Sequence, residues 1–278
     1  MGMSLFAIVL FAAALHAGWN AIVKGGGDTL LTTVLVTASA GLLAIVALPF
    51  LPAPTPASWP FIAASTVLQI GYYLLVARTY RLADMSLAYP LMRGSAPLLV
   101  AVMSAVWIGE PLVLRQWFGI AVLCAGILSM AGAARRDMNG ASAFLPLANA
   151  VVIAGYTLID GVGVRRSAAP AAYTLWIFLL TGAVLTVWIL VNRRAEFRGF
   201  VRRNWRLGLV GGVGTVGAYG IALWAMTIAP VAVVAALRET SILFGTAISA
   251  FILHERVGRV RVIAVCIIAL GAILLRLA

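Results

Sequence analysis

SLAYPLMRGSAPLLVAVMSAVWIGE, residues 86–110, is apolar enough and long enough to cross a bilayer, yet it carries an arginine at position 93. A spanning helix needs about 20 predominantly apolar residues. A guanidinium in hydrocarbon costs several kcal/mol unless it finds a partner, water or the headgroup layer. The stretch therefore describes a membrane helix with one side turned from lipid, and Arg93 marks that side.

The rest of the chain repeats the pattern. Its 278 residues are 63% hydrophobic and 10% charged, with a mean hydropathy of +1.07. So little charge excludes a soluble domain of this size. Ten apolar spans are predicted, at 4–23, 29–48, 60–78, 86–108, 113–133, 143–162, 169–191, 207–228, 231–253 and 260–277. The first has no Lys or Arg before its apolar core, so it reads as a spanning helix, not a secretory signal. PFLPAPTPASWP (49–60) is only loop-sized. Cys124 and Cys266 sit in apolar spans with no His or Cys nearby, which argues against a disulfide or metal site.

A net charge of +12 would point to nucleic acid in a soluble protein. Here the cations lie in short connections between spans. Lys24, Arg78, Arg81, Arg135, Arg136, Arg193, Arg194, Arg198, Arg202, Arg203, Arg206, Arg256, Arg259 and Arg261 fall in one alternate set. Arg115, Arg165, Arg166 and Arg276 fall in the other. Cytoplasmic connections collect Lys and Arg, so both termini are expected on the non-cytoplasmic side. The partner this charge implies is the lipid bilayer, with no nucleic acid.

Shifting the chain by 145 residues lays LMRGSAPLLVAVMSAVWIGE (91–110) on ALRETSILFGTAISAFILHE (236–255). Arg93 meets Arg238, Ser104–Ala105 meets Ser249–Ala250, and Glu110 meets Glu255; further on, Gly126 meets Gly271. At another offset AGWN (17–20) echoes AGYT (154–157). Two repeats of five spans follow, 1–137 and 138–278. Because five is odd, the second must enter from the opposite face, an arrangement typical of transporters with a site between the halves. The expected fold is an all-α integral membrane protein of ten transmembrane helices in two inverted five-helix repeats.

The five-plus-five pattern, LHAGWNAIVK in the first span, and GE and HE closing spans 4 and 9 resemble the EamA-type branch of the drug/metabolite transporter superfamily. His254–Glu255 departs from the usual glycine–glutamate ending. The resemblance implies a central cavity walled by spans 1–4 and 6–9, with spans 5 and 10 peripheral and available for a homodimer contact. It also implies a location in the bacterial inner (plasma) membrane and a small-molecule substrate, since characterised relatives mostly export metabolites, amino acids or drugs.

Within that frame Arg93 and Arg238 either snorkel to the headgroups or face the cavity and grip an anion, because a guanidinium fork matches a carboxylate or phosphate. Glu239 pairs structurally with another span or serves as a proton carrier, a role also open to Asp160 and His16. A carboxyl in apolar surroundings holds its proton more readily, and histidine titrates near neutral pH. Pro97 cannot donate to the Arg93 carbonyl, so with Gly94 it predicts a kink in span 4. His16, Trp19, Asn20 and Lys24 share one helical face of span 1; Asn149, Tyr156 and Asp160 share one of span 6. Trp19, Asn20, Tyr72, Tyr89, Tyr156 and Tyr219 are the further candidates for substrate contact. Gln69, Tyr73 and Trp224 lie on the same spans as the tyrosines. The glycines at 211, 212, 214, 217 and 220 permit close helix packing or a hinge. Glu110 and Glu255, near Arg115 and Arg256, read as end-of-helix or gate salt bridges, not ligand groups.

No P-loop, no zinc-like His/Cys spacing and no nucleophile with a plausible base is present, so neither an enzyme nor a cofactor or metal is expected. The expected function is secondary export of a small anionic or zwitterionic metabolite: an amino acid, a carboxylate or an amino-acid-derived metal chelator. The alternative is extrusion of cationic or aromatic drugs.

Overall fold

In lipid a backbone must satisfy its own N–H and C=O groups, which for runs of this length means helices. A computed structural model describes residues 1–82, 85–132, 140–251, 254 and 257–278. Ten helical spans among them are long and apolar enough to cross a membrane. The chain is an all-helical integral membrane protein. Glu255, Arg256, Arg135, Arg136 and the boundary between the expected repeats lie outside the described residues.

The helices are α1 (Met3–Gly25), α2 (Thr29–Ala47), α3 (Trp59–Leu82), α4 (Met85–Met103), α5 (Leu114–Gly132), α6 (Gly140–Ser167), α7 (Pro170–Asn192), α8 (Arg194–Met226), α9 (Val231–Arg238), α10 (Ser241–Phe251) and α11 (Arg259–Leu277). The ninth span is α9 and α10 together. Two features differ from the sequence expectation. The helix that carries span 8 begins at Arg194 rather than 207, because the arginine-rich stretch continues it. α4 runs as one helix through both Pro90 and Pro97, whereas the ninth span, expected to be continuous, breaks at Glu239–Thr240.

That break has a local cause. The Glu239 and Thr240 amides donate to Ala236 and Leu237 (3.0 and 3.1 Å), and those of Ile242 and Leu243 donate to Glu239 and Thr240 (3.0 and 2.9 Å). The spacing of bonds has tightened from four residues to three, as in a 3₁₀ turn. The Thr240 hydroxyl reinforces it by donating to the Leu237 carbonyl at 2.6 Å.

Helices pair as α1 with α8, α3 with α6, α2 with α7, and α5 with α11, while α4 packs against α5 and α6. The α5–α11 contact is tight at its glycines. A Cβ on Gly271 would stand 2.6 Å from the Leu123 backbone nitrogen, and one on Gly126 would stand 3.0 Å from that of Ile268. Along α8, Gly208, Gly211 and Gly212 face Leu35, Val36 and Ser39 of α2 in the same way, and the helix is continuous there.

At one end of the bundle four connections are tied together. Beyond α4 a π-helical turn, Ser104–Ile108, ends at Gly109 with φ of 73° and presents Glu110. The Glu110 carboxylate accepts from the Ser104 hydroxyl and from the Val231 amide that starts α9, both at 2.9 Å. It also pairs with Arg165, not with the neighbouring Arg115. Arg165 in turn donates to the Met226 and Ala229 carbonyls at 2.6 and 3.0 Å. Thr55 adds the connection after α2, its amide donating to the Ser167 carbonyl (3.0 Å) and its hydroxyl to that of Arg166 (2.6 Å). At the other end Arg193 reaches Asp28 at 3.5 Å. The two chain termini meet, the Met1 amine donating to the Arg276 carbonyl at 3.2 Å.

Candidate substrate site

The polar side chains that lipid would reject converge between α1, α3, α4, α6, α8 and α9. They line a cavity of about 50 Å³, walled by His16, Trp19, Gln69, Tyr72, Tyr73 and Arg93 on one side and by Tyr156, Phe178, Thr215, Tyr219 and Arg238 on the other. A smaller void of about 10 Å³ continues past Arg93, Tyr156 and Arg238 to Pro97, Thr157 and Glu239.

Arg93 does not reach for a headgroup. It is 5% exposed, and its Nε lies 2.7 Å from Oε2 of Glu239, also 5% exposed. The N–H is not directed along that line, so the contact is a Coulombic pair rather than an aligned hydrogen bond. Its Nη2 approaches His16 Nε2 at 3.4 Å. Glu239 itself sits in the turn that interrupts the ninth span.

Arg238 is placed differently. Its guanidinium lies 4.9 Å above the centre of the Tyr219 ring, a cation–π contact. Among the described residues it has no carboxylate partner, and its fork borders the cavity. Tyr219 is anchored from behind. Its hydroxyl donates to Asp160, whose carboxylate also accepts from Ser65 at 2.8 Å and Tyr173 at 2.9 Å. Gln69 donates to the Ser65 hydroxyl at 3.2 Å. Asp160 is 0% exposed and sits behind the cavity wall.

The aromatic residues form a continuous edge-to-face series: Tyr73 on Tyr72, Tyr72 on Tyr156, Tyr156 on Tyr219, and Tyr219 on Phe178, with ring centres 5.3 to 6.4 Å apart. Trp19 meets His16 edge-on at 5.2 Å, and its indole N–H is buried without a partner. The remaining expected contacts lie elsewhere. Asn20 does not line the cavity, and its amide donates to the His16 carbonyl at 2.7 Å. Tyr89, one turn before Arg93, packs into the apolar core. Trp224 is 40% exposed, and Asn149 donates to the Met92 sulfur. Phe178, Thr215, Ser65 and Tyr173 enter the site or its support without having been singled out in the sequence. Only Ser65 and Gln69, four apart in an apolar span, left a periodic trace.

Residues 141–277 match the EamA-like transporter family. The second half of this chain belongs to that family. The match points to a membrane transporter and makes α6 to α11 the EamA-like unit. A crystal structure of another protein, 20% identical, superposes with a TM-score of 0.78 over 99% of this chain and 98% of its own, which shows a shared fold. The uncharacterized protein y4nH of Sinorhizobium fredii is 34% identical over 58 residues, 21% of this chain. That match spans half of the relative's own length.

Proposed function

We propose that the protein is a secondary transporter that exports a small anionic or zwitterionic metabolite from the cytoplasm by alternating access. Substrates of this class are an amino acid, a related carboxylate or an amino-acid-derived metal chelator. One observation carries the reading: Arg238 offers a guanidinium fork to a buried cavity, while the carboxylate beside it is already occupied by Arg93. Such a fork selects a carboxylate or phosphate. A cationic drug would need a free carboxylate on the wall; Glu239 is paired and Asp160 is held by three hydroxyls behind Tyr219.

The aromatic walls would take the organic part of the ligand. Trp19, with an unanswered indole donor, and Tyr72, Tyr156 and Tyr219 are the contacts we assign. Organic-ligand pockets have volumes of about 300 Å³ or more, so a cavity of about 50 Å³ corresponds to a closed form and loading requires the halves to part. The cluster around Glu110 and Arg165 ties the ends of both halves and would have to break when that side opens.

The helix pairing supports two inverted repeats. Exchanging each span with the one five places on turns the pair 1–8 into 6–3 and the contact 4–6 into 9–1, all of which occur. With Lys and Arg concentrated at the opposite end, the Glu110 end and both termini would lie outside the cytoplasm, across a bacterial inner membrane. Proton coupling, where present, would act through Glu239, Asp160 or His16.

Purified protein in sealed liposomes preloaded with an unlabelled amino acid or carboxylate tests the proposal. It should drive saturable counterflow of the labelled compound, and Arg238→Gln should abolish it. Saturable counterflow unaffected by Arg238→Gln, or movement of cationic dyes alone, would overturn the reading.

A further inference from the structure

Helix α8 has 33 residues, about 50 Å at 1.5 Å per residue, against a hydrocarbon layer of about 30 Å. Residues 207–226 suffice to cross it. Arg194–Arg206 must then stand in the headgroup layer or just beyond. Successive helical positions turn by about 100°, which separates this segment into two faces. Phe197 and Phe200 are buried against Leu31, Val34 and Leu35 of α2 and Leu185 and Ile189 of α7. Turned away from them, Arg194, Arg198, Arg202 and Arg206 run as one row at four-residue spacing, flanked by Arg203, and all five are exposed.

Such a row is unfavourable by itself. Like charges four apart destabilise a helix by about 0.2–0.5 kcal/mol per pair, and the row contains three such pairs. Among the described residues none of the five has a carboxylate partner, because Glu196 is taken by Arg193 at 2.5 Å. Trp205 projects from the same side, 50% exposed, with the Arg206 guanidinium 5.4 Å from its ring centre. Tryptophan of this kind settles at the level of lipid headgroups.

We propose that this face is a docking surface for anionic phospholipids, whose headgroup phosphates lie along the arginine row. Guanidinium matches phosphate in charge and in its two-pronged geometry. A lipid is the fitting occupant because the same helix enters hydrocarbon directly below the row, which holds it at headgroup depth. The inference is independent of what the protein transports.

Full-length protein in a neutral detergent, offered phosphatidylglycerol and phosphatidylcholine at equal mole fraction, provides the test, with retained lipid read by native mass spectrometry. Wild type should retain phosphatidylglycerol preferentially. The preference should collapse towards about 1 M salt, where the screening length is about 3 Å. Arg198→Gln with Arg202→Gln should lower it by roughly fivefold per arginine. Arg198→Lys with Arg202→Lys should keep most of it, and Arg115→Gln, at the other end of the bundle, should leave it unchanged. No preference in wild type, a salt-independent preference, an undiminished preference in the double Gln variant, or an equal loss in Arg115→Gln would each overturn the proposal. The salt series uses wild type alone and decides the matter even where a variant does not fold.

Discussion

Arg93 and Glu239 meet across the two halves of the chain at 2.7 Å, and Arg238, one residue before Glu239, is left facing the cavity with no carboxylate partner among the described residues. The pair and the single cation make different demands on the fold. A buried pair that loses one member leaves the other charge uncompensated, at a cost of about 3–5 kcal/mol. Arg93→Gln or Glu239→Gln should therefore lower the melting temperature markedly. Replacing both by Met should restore most of it. Arg238→Gln should melt near wild type while losing counterflow. Equal melting temperatures for Arg93→Gln and Arg238→Gln would contradict this division of roles.

Tyr219 has two functions that one pair of substitutions separates. Tyr219→Phe keeps the ring beneath Arg238 and removes one of three donors to Asp160, so it should cost about 1–2 kcal/mol in stability with little change in half-saturating substrate concentration. Tyr219→Ala removes the platform and should raise that concentration about tenfold or more. Identical kinetics for the two would show that the ring does not position Arg238.

The tie between Glu110, Arg165 and the start of α9 should control access from that end. With Cys266 replaced by Ser, a cysteine at Thr215 reports entry to the cavity. Glu110→Gln should speed its modification by a membrane-impermeant thiol reagent several-fold, since it weakens the Arg165 and Val231 contacts together. Arg165→Gln should do the same, and combining the two should add little, as expected for residues acting as a unit. An unchanged labelling rate in both single variants would remove the tie from the transport cycle.

Gly271→Ala places a methyl group 2.6 Å from the Leu123 backbone, where no side chain can rotate away, and should destabilise by about 1–3 kcal/mol. Gly245→Ala in α10 meets nothing within 4 Å and should be neutral or slightly stabilising through helix propensity. Thermal melts in detergent compare the two directly.

The spans were legible because lipid leaves a 20-residue apolar run few alternatives, and Arg93 and Arg238 drew attention as charges within them. The break in the ninth span was not legible. Proline at 97 lies inside the continuous helix α4, whereas Leu237 to Ser241 contain neither proline nor glycine and turn through the Thr240 hydroxyl and a change in bond spacing. Partner choice was equally hidden. Arg115 is five residues from Glu110 and Arg165 is fifty-five away, yet the fold selects the distant one. The start of α8 was misplaced because arginines read as a loop when hydropathy is the only guide, although Phe197 and Phe200 give that stretch a buried side.

The repeat in the sequence sets Gly94 opposite Glu239, so the carboxylate at the cavity occurs once, not twice. Two identical five-helix subunits would contribute charges in duplicate, and their shared chamber could hold only an even total. One continuous polypeptide escapes that parity rule: Arg93, Arg238 and Glu239 make an odd set of charges that no symmetric pair of subunits could supply.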